Sequence, residues 1–403
     1  MLIPQGYKQT EFGIIPNDWD VTIIGKACYI NPNNGEIPNK FLYIDLESVN
    51  RGILEKKKYI NKKEAPSRAQ RLVKKKDVLF QLVRPYQQNN YFNTKYTVAV
   101  ASTGYAVLRE HLINIDLIYQ IIHTKNFTKQ VLDKCTGTSY PAITSSNFEN
   151  VKFCYPKNYL EQKCIATVLN DTDKLINNLN KLIKKKIAIK QGVMQELLTG
   201  KRRLPGFNGK WVKKRLENFI FIQNGYSFNS ETFSDIGVNV IRISDINNKI
   251  INCKKTVKYD GVINPNFCVH KNDILIAMSG ATVGKVGVYM DNKISYINQR
   301  VGKVVLKGNN INTYFLFNFF CSKIFEKILG EIITAGAQPN ISGKQIEDIY
   351  LKIPQVREQE AIANILSDMD DEIKKLEIKL QKYKKIKQGM MQQLLTGRIR
   401  LLD

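Results

Sequence analysis

Hydrophobic positions along the chain follow two different rules. Over residues 161–204, and again over 358–401, they recur at sevens. In the second stretch Leu366, Ile373, Leu380, Lys387 and Leu394 form one series, and Met369, Leu376, Tyr383 and Met390 its companion. In the first, Leu169, Ile176, Ile183, Lys190 and Leu197 run beside Thr172, Leu179, Lys186 and Val193. This spacing predicts the seam of a coiled coil, with Met194 and Met391 joining the packing set. Gly200 and Gly397 are stop signals after the last turn. A helix over 358–396 would run about 58 Å at 1.5 Å per residue. Two matched helices most simply pack on each other. An antiparallel pair is favoured, since the chain between them must return to the other end.

Elsewhere the pattern is shorter. Phe41–Leu46, Val78–Val83 and Thr97–Leu108 read as strands bounded by turn residues, followed by a helical stretch, Ile115–Leu132. The order recurs as Ile241–Ile246, Ile274–Met278 and Ile294–Leu306, then a helical Ile311–Leu329. Tyr314–Cys321 is too short to span a bilayer and reads as a buried helix or strand.

The two rules repeat in the same order because the chain is duplicated. Aligned without gaps at an offset of 197, the two 44-residue helical stretches are identical at 22 positions. Fixed points between them follow: Asp77 with Asp273, Gly104 with Gly302, Pro141 with Pro339, Pro156 with Pro354. Trp19 and Trp211 each open a half. The expected fold class is therefore α/β, with two α+β lobes in tandem, two long helices as an antiparallel coiled coil, and a pseudo-twofold repeat. The expected divisions are 1–157 (with an opening segment 1–25), 158–204, 205–355 and 356–403.

Charge changes the picture. The chain carries 61 Lys and Arg against 36 Asp and Glu, net +25, which points to a polyanion partner. Residues 161–204 hold +6 and 358–403 hold +1, leaving +18 to the lobes and their flanks. The near-neutral second helix suits contact with protein, and the lobes suit contact with nucleic acid. Met1–Gly6 shows no secretory pattern, and seven cysteines without a Cys-x-x-Cys pair suit a cytosolic protein with no zinc site.

Candidate contacts with DNA fall in turns beside strand-like runs. Arg84, Tyr86, Gln87, Gln88 and Asn89 offer guanidinium and amide groups of the kind that pair with guanine and adenine. Thr138, Ser139 and Tyr140 sit beside Pro141, and Gln338, Asn340 and Ser342 beside Pro339; the alternative for each is a loop fixed by proline. Ser279, Thr282 and Lys285 border a Gly-Ala-Thr-Val-Gly-Lys run that is no P-loop, because its glycines are one residue too close and Val286 stands where Ser or Thr would bind magnesium. It reads as hydroxyl and ammonium donors for phosphates or base edges, or as an ordinary turn. Arg300 is a further, weaker candidate. No methyltransferase, nuclease, helicase or Ser/His/Asp signature is present, so the reading is of a binding and scaffolding protein rather than an enzyme.

These motifs carry a resemblance over essentially the whole chain. The twice-written KQG-x-M-Q-x-LLTG (Lys190–Gly200, Lys387–Gly397), the EQ-x-x-IA-x-x-L starts at Glu161 and Glu358, and the block Thr334–Pro354 resemble the specificity subunit, HsdS, of type I restriction–modification systems. The resemblance implies that each lobe is a target recognition domain reading half of a split double-stranded DNA sequence. It implies that the helices act as a spacer docking two modification subunits, which bind S-adenosylmethionine and methylate adenine. Restriction subunits using ATP and magnesium would join, in a bacterial cytoplasm and with no membrane contact. A DNA-bridging coiled-coil protein without enzyme partners, and the recognition subunit of a fused restriction–methylation enzyme, remain open at this point.

Overall fold

The computed structural model describes residues 3–402 apart from 33–34, 138, 248, 252, 254–255 and 334–338. The chain divides into two compact units, residues 1–180 with 378–403, and residues 181–377. Each unit joins one lobe to a portion of both long helices, whereas the sequence reading set the helices apart as segments of their own.

In the first unit one sheet runs in the order Tyr91–Phe92, Val78–Gln81, Tyr105–Glu110, Cys28–Ile30, and a second in the order Lys58–Asn61, Lys40–Ile44, Val98–Ser102, Ala69–Lys74. Val78–Gln81 reads as an unbroken apolar run because it is covered on both faces. Val78 and Phe80 join the core under the helices, while Leu79 joins the core with Leu42 and Ile44. The second unit repeats this. Ile274 and Ile276 face the helices, and Leu275 and Ala277 face the other way. Its six-stranded sheet carries Ile274–Ala277 between Val301–Leu306 and Val286–Val288.

Several runs that read as single elements are broken by polar groups that satisfy the backbone. Thr97–Leu108 turns at Thr103–Gly104 into strands Val98–Ser102 and Tyr105–Glu110. Ile115–Leu132 is two helices, Ile115–Ile121 and Lys125–Asp133, because the Thr124 hydroxyl accepts from Phe127 N and starts the second. Ser322 divides Thr313–Phe320 from Lys323–Ile332 in the same way. Ile241–Ile246 is strand only to Ile241; the Asp245 carboxylate then accepts from Arg242 N at 2.8 Å and closes a 3-10 turn. Ile294–Leu306 splits at Asn298 into Ser295–Ile297 and Val301–Leu306.

The long helices run Tyr159–Leu197 and Val356–Leu394, each 39 residues. Within each unit their segments are antiparallel. In the first, Lys387 Nζ lies 2.6 Å from Asp173 Oδ1, and in the second Lys190 pairs with Asp370. The seam residues are where the heptads place them. Leu169, Leu179, Ile183, Met194, Leu197, Leu366, Ile373, Leu380 and Leu394 are buried, and Ile176, Met369, Leu376, Tyr383 and Met391 half-buried.

The repeated motifs are locks. Gln162 Oε1 accepts from Asn114 N at 2.9 Å while its amide donates to Pro156 O; Gln359 does the same with Asn312 N at 2.8 Å and Pro354 O. Glu161, fully buried, takes both bonds of Arg400 at 2.6 and 2.8 Å. Glu358 takes those of Arg203 at 2.7 and 2.8 Å, plus Trp211 Nε1 at 3.3 Å. Gly397 and Gly200 hold φ +68° in the left-handed region, and a Cβ at either would meet the ring of Trp19 or Trp211. The two tryptophans are thus equivalent, as their positions in the repeat suggest.

Removing a buried acid from such a pair leaves an uncompensated cation. Glu358→Ala should cost about 3 kcal/mol in urea unfolding. Glu161→Ala should cost less, by up to about 1 kcal/mol, because Arg400 keeps Asp18 at 2.6 Å.

Candidate nucleic-acid interface

Each lobe presents one corner where two loops meet. In the first lobe, Val83 bridges Ala142 and Arg84 N donates to Pro141 O at 2.7 Å. In the second, Ser279 bridges Asn340 and Gly280 N donates to Pro339 O at 2.9 Å. Each corner carries two left-handed residues four apart about a single 3-10 turn; Arg84 and Gln88 flank Pro85–Gln87, while Gly280 opens Gly280–Thr282 and Gly284 follows it. In the second lobe these are Gly280 (φ +71°) and Gly284 (φ +78°); in the first they are Arg84 (φ +54°) and Gln88 (φ +52°). Glycine adopts this conformation freely, whereas other residues are disfavoured there by roughly 1–2 kcal/mol. Strain of this kind at a non-glycine position is a reason to test the side chain for a function.

The first corner brings Arg84, Tyr86, Ser139 and Tyr140 together at the surface. The Arg84 guanidinium lies 4.4 Å from the Tyr140 ring centroid, a cation–π contact that orients the fork, and Tyr86 and Tyr140 are 52% and 63% exposed. Other candidates serve the fold. The Gln88 amide donates to Thr128 Oγ1 at 2.8 Å, Gln87 Oε1 accepts from Gln81 Nε2 at 3.0 Å, and Asn89 N donates to Gln81 Oε1 at 3.0 Å. Gln81, 1% exposed, is a frame residue that the strand pattern concealed, since it reads as one more position in an apolar run.

The second corner is different. Ser279 Oγ and Thr282 Oγ1 are buried without a partner among the described residues, so these hydroxyls do not face a ligand from outside. Ser342 caps helix Gly343–Glu347, its Oγ accepting from Gln345 N at 3.2 Å. Arg300 and Asn340 are exposed and Lys285 half-exposed. Met278 N donates to Arg300 O at 2.9 Å, which sets Arg300 beside this corner. Tyr226, 39% exposed and bridged to Asn298, is an aromatic that the sequence reading passed over; only its neighbour Gly225, too close to Asn298 O for any Cβ, hints at a fixed turn. Thr138 and Gln338 lie outside the described residues. Val286, the misfit of the P-loop reading, is a buried strand residue.

The helix candidates are buried or half-buried in packing within the units, so most are unavailable to a partner. The apolar side chains left exposed include Val168, Leu175, Leu182 and Ile189, again seven apart, with Leu160 and Ile187 outside that series and Ile378 and Ile386 on the second helix. Among the described residues no group of His, Cys, Asp and Glu could hold a metal, and no helix is long and apolar enough to cross a membrane.

A family model described as type I restriction modification DNA specificity domain matches residues 16–190 and again 208–387. The chain belongs to this family. Each match covers one lobe and most of the helix that follows it, so the duplication seen in the sequence is two copies of the specificity domain. The type I restriction enzyme MjaVIII specificity subunit of Methanocaldococcus jannaschii is 27% identical over 431 residues, covering 100% of this chain and 99% of that one. The EcoBI specificity subunit of Escherichia coli is 23% identical over 202 residues, covering 49% of this chain and 41% of that one. The fold is shared with the S subunit of a type I restriction–modification system from M. genitalium, at a TM-score of 0.61 and 16% identity, over 93% of this chain and 96% of that one. Both corners lie within the matched segments.

Two measurements bear on the first corner. Arg84→Gly should raise stability by up to about 1 kcal/mol by relieving the left-handed strain, while weakening recognition of one half-site in a binding assay. His123 lies behind the corner, its Nδ1 2.6 Å from Tyr119 O and its Nε2 3.4 Å from the Asn90 amide. Burial holds its imidazole down at about 4. The unfolded chain, with a histidine near 6.5, then binds the extra proton first. Stability conferred by the neutral ring is complete above pH 6.5 and is lost as pH falls toward 4. The melting temperature should drop through that window, and His123→Gln should flatten the drop.

Proposed function

We propose that this chain is the non-catalytic recognition subunit of a type I restriction–modification complex, each lobe reading one half of an asymmetric, bipartite double-stranded DNA target. The observation that carries the reading is the pair of equivalent but chemically unequal corners. Arg84 and Gln88 stand where the other lobe has Gly280 and Gly284. Two lobes of one fold with different groups at the same positions call for two different half-sites, not a palindrome. Lysines and arginines of the lobes supply salt-dependent affinity through phosphates, and a few side chains specify bases.

The long helices serve as the spacer. A helix of 39 residues is about 58 Å long, on the scale of one and a half turns of B-DNA at roughly 34–36 Å per turn. The exposed apolar side chains of the first helix, Val168 and Leu175 in one unit and Leu182 and Ile189 in the other, are surface that a modification subunit would cover in each unit. Two such subunits carry S-adenosylmethionine and methylate adenine, and restriction subunits with ATP and magnesium complete the complex; this chain itself needs no cofactor. Such an assembly works on cytoplasmic DNA.

Methylome sequencing of cells expressing the chain with its neighbouring modification subunit tests the whole reading. The expected result is methylated adenine in a split, non-palindromic motif with a fixed gap; methylation without a bipartite motif would falsify it. Deleting one heptad, Leu376–Lys382, should shorten the gap or abolish assembly, and an intact complex with an unchanged gap would remove the spacer role. Exchanging residues 26–157 for another lobe should change one half of the motif only.

A further inference from the structure

We propose that Arg51 is a second specificity-determining arginine of the first lobe, carried to the base edges of its half-site on the tip of a β-hairpin. The inference rests on the DNA-reading role given above to the Arg84 corner.

Val49 pairs with Leu54 and Asn50 with Ile53, which leaves Arg51 and Gly52 as a two-residue turn. Both are left-handed, at φ +45° and +80°. That is the geometry of a type I′ hairpin turn, whose first position favours Asn, Asp or Gly. An arginine there is disfavoured by its own backbone, and the fold gains nothing from its side chain. Arg51 is exposed, and its guanidinium has no partner among the described residues. Of the three lysines that follow, Lys56 pairs with Glu47 and Lys58 with Asp45.

The turn is also held in place against the corner. Arg51 N donates to Asn89 Oδ1 at 3.0 Å, and Asn89 N donates to Gln81 Oε1 at 3.0 Å. Gln81 Nε2 in turn donates to Gln87 Oε1 at 3.0 Å. A buried glutamine thereby fixes the hairpin tip and the Arg84 turn in one frame. Gly52 seats the other side, since a Cβ there would come 2.7 Å from Tyr119 Oη. Of the five non-glycine residues with positive φ among the described residues of this lobe, three, Arg51, Arg84 and Gln88, sit on this one frame, and Asn31 and Lys76 lie elsewhere. Conformational strain concentrated at one surface, on two arginines with free or stacked guanidiniums, is the mark of a recognition site. A two-stranded ribbon fits the major groove, where an arginine fork pairs with guanine O6 and N7.

The test uses the full chain in complex with its modification subunits. Wild type, Arg51→Gly, Arg51→Lys and Arg84→Gly are compared by methylome consensus, by competition binding over single-base variants of the target, and by the salt dependence of binding. Arg51→Gly suits the left-handed turn, so the unfolding midpoint should hold or rise. Discrimination should fall about 10-fold or more at one position of the half-site read by the first lobe, with the other half-site unchanged. Lysine should restore it only in part, because a compact ammonium on a flexible stem lacks the planar fork that fixes the arginine–guanine geometry. Wild-type discrimination at every position in Arg51→Gly overturns the inference. So does uniformly weaker binding with a salt slope smaller by about one, the signature of a phosphate contact. If Arg84→Gly loses discrimination and Arg51→Gly does not, this inference alone fails. If the wild-type complex lacks a bipartite target, the reading of the lobes fails with it.

Discussion

A glutamate with no exposure to solvent has to be neutralised where it stands, and in each unit that demand is met by an arginine just past the end of the other long helix. Glu161 meets Arg400 and Glu358 meets Arg203. Burying a carboxylate costs several kcal/mol unless a cation and its hydrogen bonds are supplied. The start of one helix and the end of the other are therefore tied together in each unit. The neighbouring glutamines then fix the lobe to the helix start, through Asn114 and Pro156 in one unit and Asn312 and Pro354 in the other. Lobe, helix start and helix end become one body, and the two halves of the duplication use one set of bonds twice.

With the frame held by repeated residues, the reading corners are free to differ. Each corner has a 3-10 turn and two left-handed residues four apart, but one lobe places glycines there and the other Arg84 and Gln88. The strain in the first lobe is tolerated because the turn is pinned on several sides, by Pro141 O, by Gln81 and by Thr128. The paired Glu and Arg of the locks lie in the matched helical stretches, and the candidate DNA-contact residues lie in the divergent lobes.

Much of this was legible in the residues. The heptads located the seam to within two residues at each helix end, and Leu169, Leu366 and Leu394 are buried as their positions require. Near-equal spacing of Asp77 with Asp273 and of the paired prolines disclosed two lobes of one fold. What failed was local. Thr124 and Ser322 lie inside stretches that read as single helices and are caps that begin a new one. Gln88, Asn89, Ser279 and Ser342 looked like ligands and are instead bonded or buried within the fold. A polar side chain in a turn has the same appearance in sequence whether it faces outward or inward. Arg51 escaped notice because nothing in a short polar stretch announces that its backbone is bonded to a loop 38 residues away.

The sequence by itself determined the duplication, the two long helices, their seam and the family, since each of these rests on spacing that a linear chain displays directly. Only the tertiary structure decided which polar groups are available. It gave Glu161 to Arg400 across 239 residues, seated Arg84 on Tyr140, and turned the hydroxyls of Ser279 and Thr282 inward. Periodicity is a property of neighbours along the chain. Hydrogen-bond partnership and left-handed strain are properties of neighbours in space, and recognition depends on the side chains that those neighbours leave free.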